Sequence, residues 1–163
     1  MRLSRVAFAA TLLVAWQASA QERAVQETPA IVGIWKLNVE KSTVRIPPGA
    51  VEIRQYTMRP DGFLVGLLIT GTPQAYHYLQ FVARGDGKDY PEYSDQNVAD
   101  MVAAGRPTSR TYAERMLDEY TTDWIDKIDG KVTAQGKKIV SKDHKTMTIT
   151  VDGSPAIRTY DRQ

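Results

Sequence analysis

Few residues in this chain are of the kinds that do chemistry, and their spacing argues against most of it. There are two histidines, His77 and His144, and no cysteine. Without Cys there is no thiolate nucleophile, no thiolate metal ligand and no disulfide. Two His with a carboxylate would make a minimal metal set. Here His77 falls in an expected strand and His144 in an expected turn, and nothing in the spacing brings them together. Asp86, Asp89, Glu92 and Asp95 form an acidic cluster, but the twelve-residue Ca²⁺ loop closed by Glu is absent. The cluster reads as solvated turn acids. No Ser sits in a G-x-S-x-G context, no Gly-rich phosphate loop links a strand to a helix, and no motif marks a glycosidase-type carboxylate pair. The reading is a protein that is not an enzyme, with no catalytic residue, no metal ligand and no cofactor assigned.

What remains is binding. Tyr56, Leu67, Tyr76, Tyr78, Phe81 and Tyr112 fall on expected strands and could line a pocket for a small apolar or amphipathic molecule. Val98 and Met101, on an expected helix, would face its mouth. The competing explanation is that strands favour Tyr whatever they bind. Trp35, two residues after Gly33, is read as structural: it closes the base of a barrel, with Arg158 or Arg162 from the last strand stacked on its face.

Those residues need elements to place them. Strands are expected at Val32–Val39, Val51–Met58, Phe63–Thr70, Ala75–Arg84, Thr108–Leu117, Tyr120–Ile128, Lys131–Ser141, Thr146–Val151 and Ala156–Arg162. A further strand over Lys88–Tyr93 is weakened by Pro91. Phe63–Thr70 is apolar on both faces and is expected to be covered on both or to lie against a neighbouring element. Pro60-Asp61-Gly62, Gly85-Asp86-Gly87 and Asp129-Gly130 are turn signals, and Gly136 suggests a bulge. Between Ser94 and Gly105 the period changes, with Val98, Met101 and Val102 at i, i+3 and i+4. Ser94 or Asp95 can cap that helix and Gly105 can stop it. About nine or ten short strands with tight turns and one helix fit a barrel or meander, not βαβ units. In a meander successive connections alternate ends. If Lys88–Tyr93 is a strand, the helix lies at the end that carries the Thr43–Ala50 connection, its apolar stripe facing the mouth.

Composition sets the compartment. Met1–Arg5 carries two Arg and no acid, Val6–Trp16 is apolar, and Ala18-Ser19-Ala20 is a signal-peptidase pattern. The apolar run is too short to span a bilayer, which takes about 20 residues. Residues 1–20 are therefore expected to be a cleaved signal, 21–30 a flexible leader and 31–163 the domain, periplasmic or secreted. No Cys follows the run, which excludes a lipid-anchored lipoprotein. Loss of Arg2 and Arg5 leaves 19 basic against 19 acidic residues. That balance, with no basic cluster, argues against nucleic-acid binding.

Three stretches resemble one family. GIWKLNVEKS (Gly33–Ser42), DGKDYP (Asp86–Pro91) and VSKDHKTMTIT (Val140–Thr150) are similar in order and spacing to the opening, middle and hairpin motifs of secreted bacterial lipocalin-like proteins, largely of unassigned function. The resemblance implies an all-β, antiparallel up-and-down barrel of the lipocalin and fatty-acid-binding type with about 8–10 strands, and no catalytic residues. There are two departures: His144 stands where that family usually has Gly, and residues 93–106 look like a helical insertion. The expectation is a barrel that binds a small ligand. The alternative is a protein-binding or envelope module with a filled core, and an enzyme at the barrel mouth ranks lowest.

Overall fold

The computed structural model describes residues 28–163. The expected signal and most of the leader lie outside the described residues. Ten strands and one helix follow: β1 (Gly33–Leu37), β2 (Val51–Met58), β3 (Leu64–Thr72), β4 (Ala75–Ala83), β5 (Asp86–Ser94), α1 (Asp95–Ala104), β6 (Arg110–Met116), β7 (Thr121–Ile128), β8 (Lys131–Val140), β9 (Thr146–Val151) and β10 (Ile157–Arg162). Each strand pairs antiparallel with the next, and β1 pairs with β10 to close the barrel.

Local chemistry explains the corners. Asp129 and Gly130 both take positive φ, 51° and 74°, as a two-residue hairpin with the right twist requires. Ser94 caps α1: its hydroxyl accepts from Asn97 N while Asn97 Oδ1 accepts from Ser94 N. Gly105 ends the helix in the left-handed region. His144 also holds a positive φ of 57°, so the turn keeps the backbone that suits Gly although the residue differs.

Pro91 does not prevent β5. The β4–β5 ladder covers only Glu92–Ser94, so Pro91 lies just past its end, where a missing N–H costs little. Because β5 is a strand, alternation places α1 at the end with the 38–50 connection, as the parity reading requires. The stripe does not face the mouth as a unit. Val102 is 80 % exposed, Val98 and Met101 are half-buried, and the buried helix residue is the polar Asn97.

Two further expectations need correction. The register shift lies at Asp126/Lys127, not at Gly136; Gly136 is Gly because a Cβ there would meet Thr150 O at 2.0 Å. Strand β3 is not covered on both faces by other elements. Leu64, Gly66 and Leu68 point in, whereas Val65, Leu67 and Ile69 lie on the outer face beside β2 and β4 side chains.

The base of the barrel is apolar and sealed. Trp35 is fully buried, with Leu37, Met147, Ile31 and Ala30 in the same core. Its Nε1 donates to Ile31 O at 2.8 Å. The Arg162 guanidinium lies 4.3 Å over its ring and donates to Ala30 O, Val32 O and His144 O. Gly33, at φ 145°, leaves room for that guanidinium: a Cβ would sit 2.7 Å from Arg162 Nη1. Of the two arginines expected on Trp35, Arg162 takes the place. Arg158 belongs elsewhere in the interior.

Candidate functional site

Above this base the interior is charged. Inward positions of the strands carry three hydrogen-bonded groups. On β2 and β10, Glu52 accepts from the Tyr160 hydroxyl and from Arg54 at 3.2 Å, Arg54 Nε donates to Tyr160 at 2.9 Å, and Arg158 approaches Glu52 at 3.5 Å. On β6 and β8, Tyr112 donates to Glu114 at 2.6 Å, and Lys138 donates to both Tyr112 and Glu114. The Lys138 ammonium also lies 4.7–5.0 Å from the ring centres of Tyr56, Phe81 and Tyr112, a cation–π arrangement. On β5 and β6, Arg110 donates to Glu92 Oε1 at 3.2 Å.

The three groups meet around a cavity of about 90 Å³. Arg54, Tyr112, Lys138 and Glu92 reach it from those groups, with Trp124 and Asp126 from β7 and an apolar wall of Leu68, Leu79, Phe81 and Ile149. Gly66 makes this packing possible, since a Cβ there would lie 2.2 Å from Phe81 Cζ. Phe81 in turn stacks on Tyr112 at 3.8 Å. Two buried polar atoms of the lining, Glu92 Oε2 and Trp124 Nε1, have no hydrogen-bond partner; nor has the nearby Tyr56 hydroxyl. Buried polar groups are partnered in the great majority of cases, so these mark a place where something polar fits.

Electrostatics sharpen the picture. Burial pushes the Glu92 carboxyl up to about 7, the Asp126 charge adds to this, and Arg110 opposes it. Asp126 is also raised by burial, against the pull of Lys138, Arg110 and Arg54. Burial raises Tyr112 and Tyr160 as well, so each phenol stays a donor to its neighbouring glutamate.

A second space lies beside α1. Between α1 and residues 105–110 lies an open cleft of about 600 Å³, with Met101, Pro107, Ile128 and Arg110 in its lining. Arg110 thus borders the cleft while holding Glu92, which borders the cavity. Asn97 ties this rim together, donating to Glu92 O at 2.9 Å and Thr108 Oγ1 at 3.3 Å.

Of the residues expected to line a pocket, Tyr56, Phe81 and Tyr112 come together inside, and Met101 lines the cleft. Leu67, Tyr76 and Tyr78 do not join them. They lie on the outer face of β3 and β4, Tyr76 being 58 % exposed. Val98 is half-buried on α1 and lines neither space. Glu92 is the sharpest reversal: read as a solvated turn acid, it is 2 % exposed. Glu52, Arg54, Arg110, Glu114, Asp126, Lys138 and Tyr160 were not anticipated as interior residues. The usable signal was alternation, since Glu52 and Arg54 share parity with Tyr56, and Glu114 with Tyr112. His77 instead pairs with Asp95 at 2.7 Å, and His144 sits against Tyr120. Among the described residues no group of three His, Asp or Glu side chains could hold a metal ion. No described helix is long and apolar enough to cross a membrane.

No protein-family model and no curated protein matches this chain. Solved structures do. The wild-type fluorescent protein UnaG aligns with a TM-score of 0.52 at 14% identity, over 82% of this chain and 97% of that one. Two UnaG mutants align with TM-scores of 0.52 and 0.50 at 14% and 15% identity, over 82% and 81% of this chain and 96% and 95% of theirs. At such identity the likeness is one of fold: a ten-stranded, closed, up-and-down barrel of the lipocalin and fatty-acid-binding type.

Proposed function

We propose that this chain is a secreted or periplasmic barrel that binds one small amphipathic molecule non-covalently, as a member of the lipocalin-like family it resembles, and is not an enzyme. The polar end of the ligand enters the 90 Å³ cavity and its apolar remainder points to the cleft beside α1. The observation that carries this reading is the set of buried, partnerless polar atoms, Glu92 Oε2 and Trp124 Nε1, on two residues that line one cavity. Leaving such a group unsatisfied costs about 1–3 kcal/mol, which a ligand with matching groups would recover. The cavity suits a head group, and it is too small and too polar for a long apolar chain. Fold likeness adds only a prior, since barrels of one architecture serve many functions.

A second reading has its own observation. The outer face of β3–β5 exposes Tyr76, Tyr78 and Tyr93 beside Leu67 and Ile69, and apolar surface of that kind suits a protein partner. Native mass spectrometry on protein from its own envelope separates the two. A co-purifying small molecule supports the first reading, and a stoichiometric protein with an empty barrel supports the second. The same spectrum tests the address, because the mature chain is expected to begin at Gln21.

A further inference from the structure

We infer that the group accepted by the cavity is a protonated amine, anchored by Glu92 and Asp126. This rests on the interior-binding reading and narrows it to a ligand class. The cations around the cavity each already pair with a carboxylate: Lys138 with Glu114, Arg54 with Glu52, and Arg110 with Glu92. Tyr112 gives its proton to Glu114. Two acceptors are left over. Glu92 Oε2 is buried without a partner, and among the described residues Asp126 has no hydrogen bond or ion pair through its carboxylate. One donor stands open against them, Trp124 Nε1.

Charge points the same way. Four cations, Arg54, Arg110, Lys138 and Arg158, face four carboxylates, Glu52, Glu92, Glu114 and Asp126. Arg54 and Arg158 share Glu52, which leaves Asp126 as the acid without an ion-pair partner. An incoming carboxylate would sit beside Asp126 and Glu92, with Trp124 Nε1 as the one buried donor left open to it. An ammonium group finds acceptors at once, next to the rings of Phe81, Tyr112 and Trp124, which favour cations. The cavity equals about three waters at ~30 Å³ each, so the amine is primary and compact, with any tail directed to the α1 cleft.

Binding is coupled to a proton. An ammonium ion that meets Glu92 as carboxylate displaces the proton held there below pH 7, so affinity rises as pH passes upward through about 7. The titratable and charged groups that line the cavity with Glu92 are Tyr112 on β6, Asp126 on β7, Lys138 on β8 and Arg54 on β2, with Arg110 on β6 bonded to it; from β4 the lining side chains are Leu79 and Phe81.

The test is calorimetric titration of the mature chain with n-butylamine, n-butyrate and n-butanol at matched ionic strength. Butylammonium is expected to bind at least tenfold tighter than the other two and to release protons below pH 7. Glu92→Gln and Asp126→Asn should each weaken it at least tenfold, with near-UV circular dichroism unchanged. Asp123→Asn, on the outer face, serves as control. If a variant fails to fold, the three-probe comparison on the wild type still decides. Tightest binding of butyrate, or equal binding of butanol, overturns the amine assignment and leaves interior binding standing. If none of the three binds at millimolar concentration, the cavity holds water only, and both readings fall.

Discussion

The two halves of the barrel interior are built on opposite principles. Around Trp35 the packing is apolar, and the polar atoms present are satisfied: the indole by Ile31, the Arg162 guanidinium by three carbonyls. Around Phe81 and Tyr112 the space is lined by ion pairs, and some of its polar atoms have no partner. Burying ions in pairs is weak support for stability, because desolvation offsets most of the attraction. The contrast teaches that the Trp35 half holds the fold, while the charged half is maintained at a cost that folding alone does not explain.

Four experiments test that contrast, in falling order of effect. Trp35→Ala should cost roughly 3–5 kcal/mol in denaturant unfolding, as for other large buried aromatics; an unchanged midpoint would place the fold's anchor elsewhere. Lys138→Met should cost about 3–4 kcal/mol by leaving Glu114 buried without its cation, whereas Lys138→Met with Glu114→Leu should come back close to wild type. If the double variant stays as unstable as the single one, the charged half is structural after all.

The third is a pH effect. Glu92 binds its proton more tightly folded than unfolded, so stability is greatest below the unfolded value and declines as pH rises from about 4.5 to about 7. A shift of that size is worth about 3 kcal/mol at 1.36 kcal/mol per unit. Glu92→Gln should flatten that part of the profile, read from thermal midpoints between pH 4 and 8. The smallest effect is expected at the rim. Ser94→Ala removes the helix cap and should cost about 1 kcal/mol, with hydrogen exchange raised in α1 and unchanged around Trp35.

Much of the frame was legible from sequence. β2 and β9 begin and end where alternation and turn residues put them, and Ser94 and Gly105 bound the helix. Gly33, Trp35 and the last-strand arginine were recognisable because their roles depend on residue type. The site was less legible, because facing is a parity, and parity fails where both faces carry similar residues. In β4, Tyr76 and Tyr78 on one face compete with Leu79 and Phe81 on the other. Gly66 makes the room on the inner face: it pairs with Phe81, and a Cβ there would lie 2.2 Å from that ring. Glu92 was obscured by Pro91, which blurred the strand that turns it inward. The buried polar contacts join strands far apart in sequence, Glu52 to Tyr160 and Glu114 to Lys138, and no local pattern announces them.

The side chain of Asn97 has a mechanical consequence. One amide bonds at once to the backbone of Ser94, the carbonyl of Glu92 and the hydroxyl of Thr108, which itself receives Arg110 N. Lifting α1 away from the rim therefore gives up the bonds to Glu92 and Thr108 together, each worth about 0.5–1.5 kcal/mol. Such a fastening does not loosen by degrees. It behaves as a latch, shut or sprung, and the strands that present Glu92 and Arg110 are held in place for as long as it is shut.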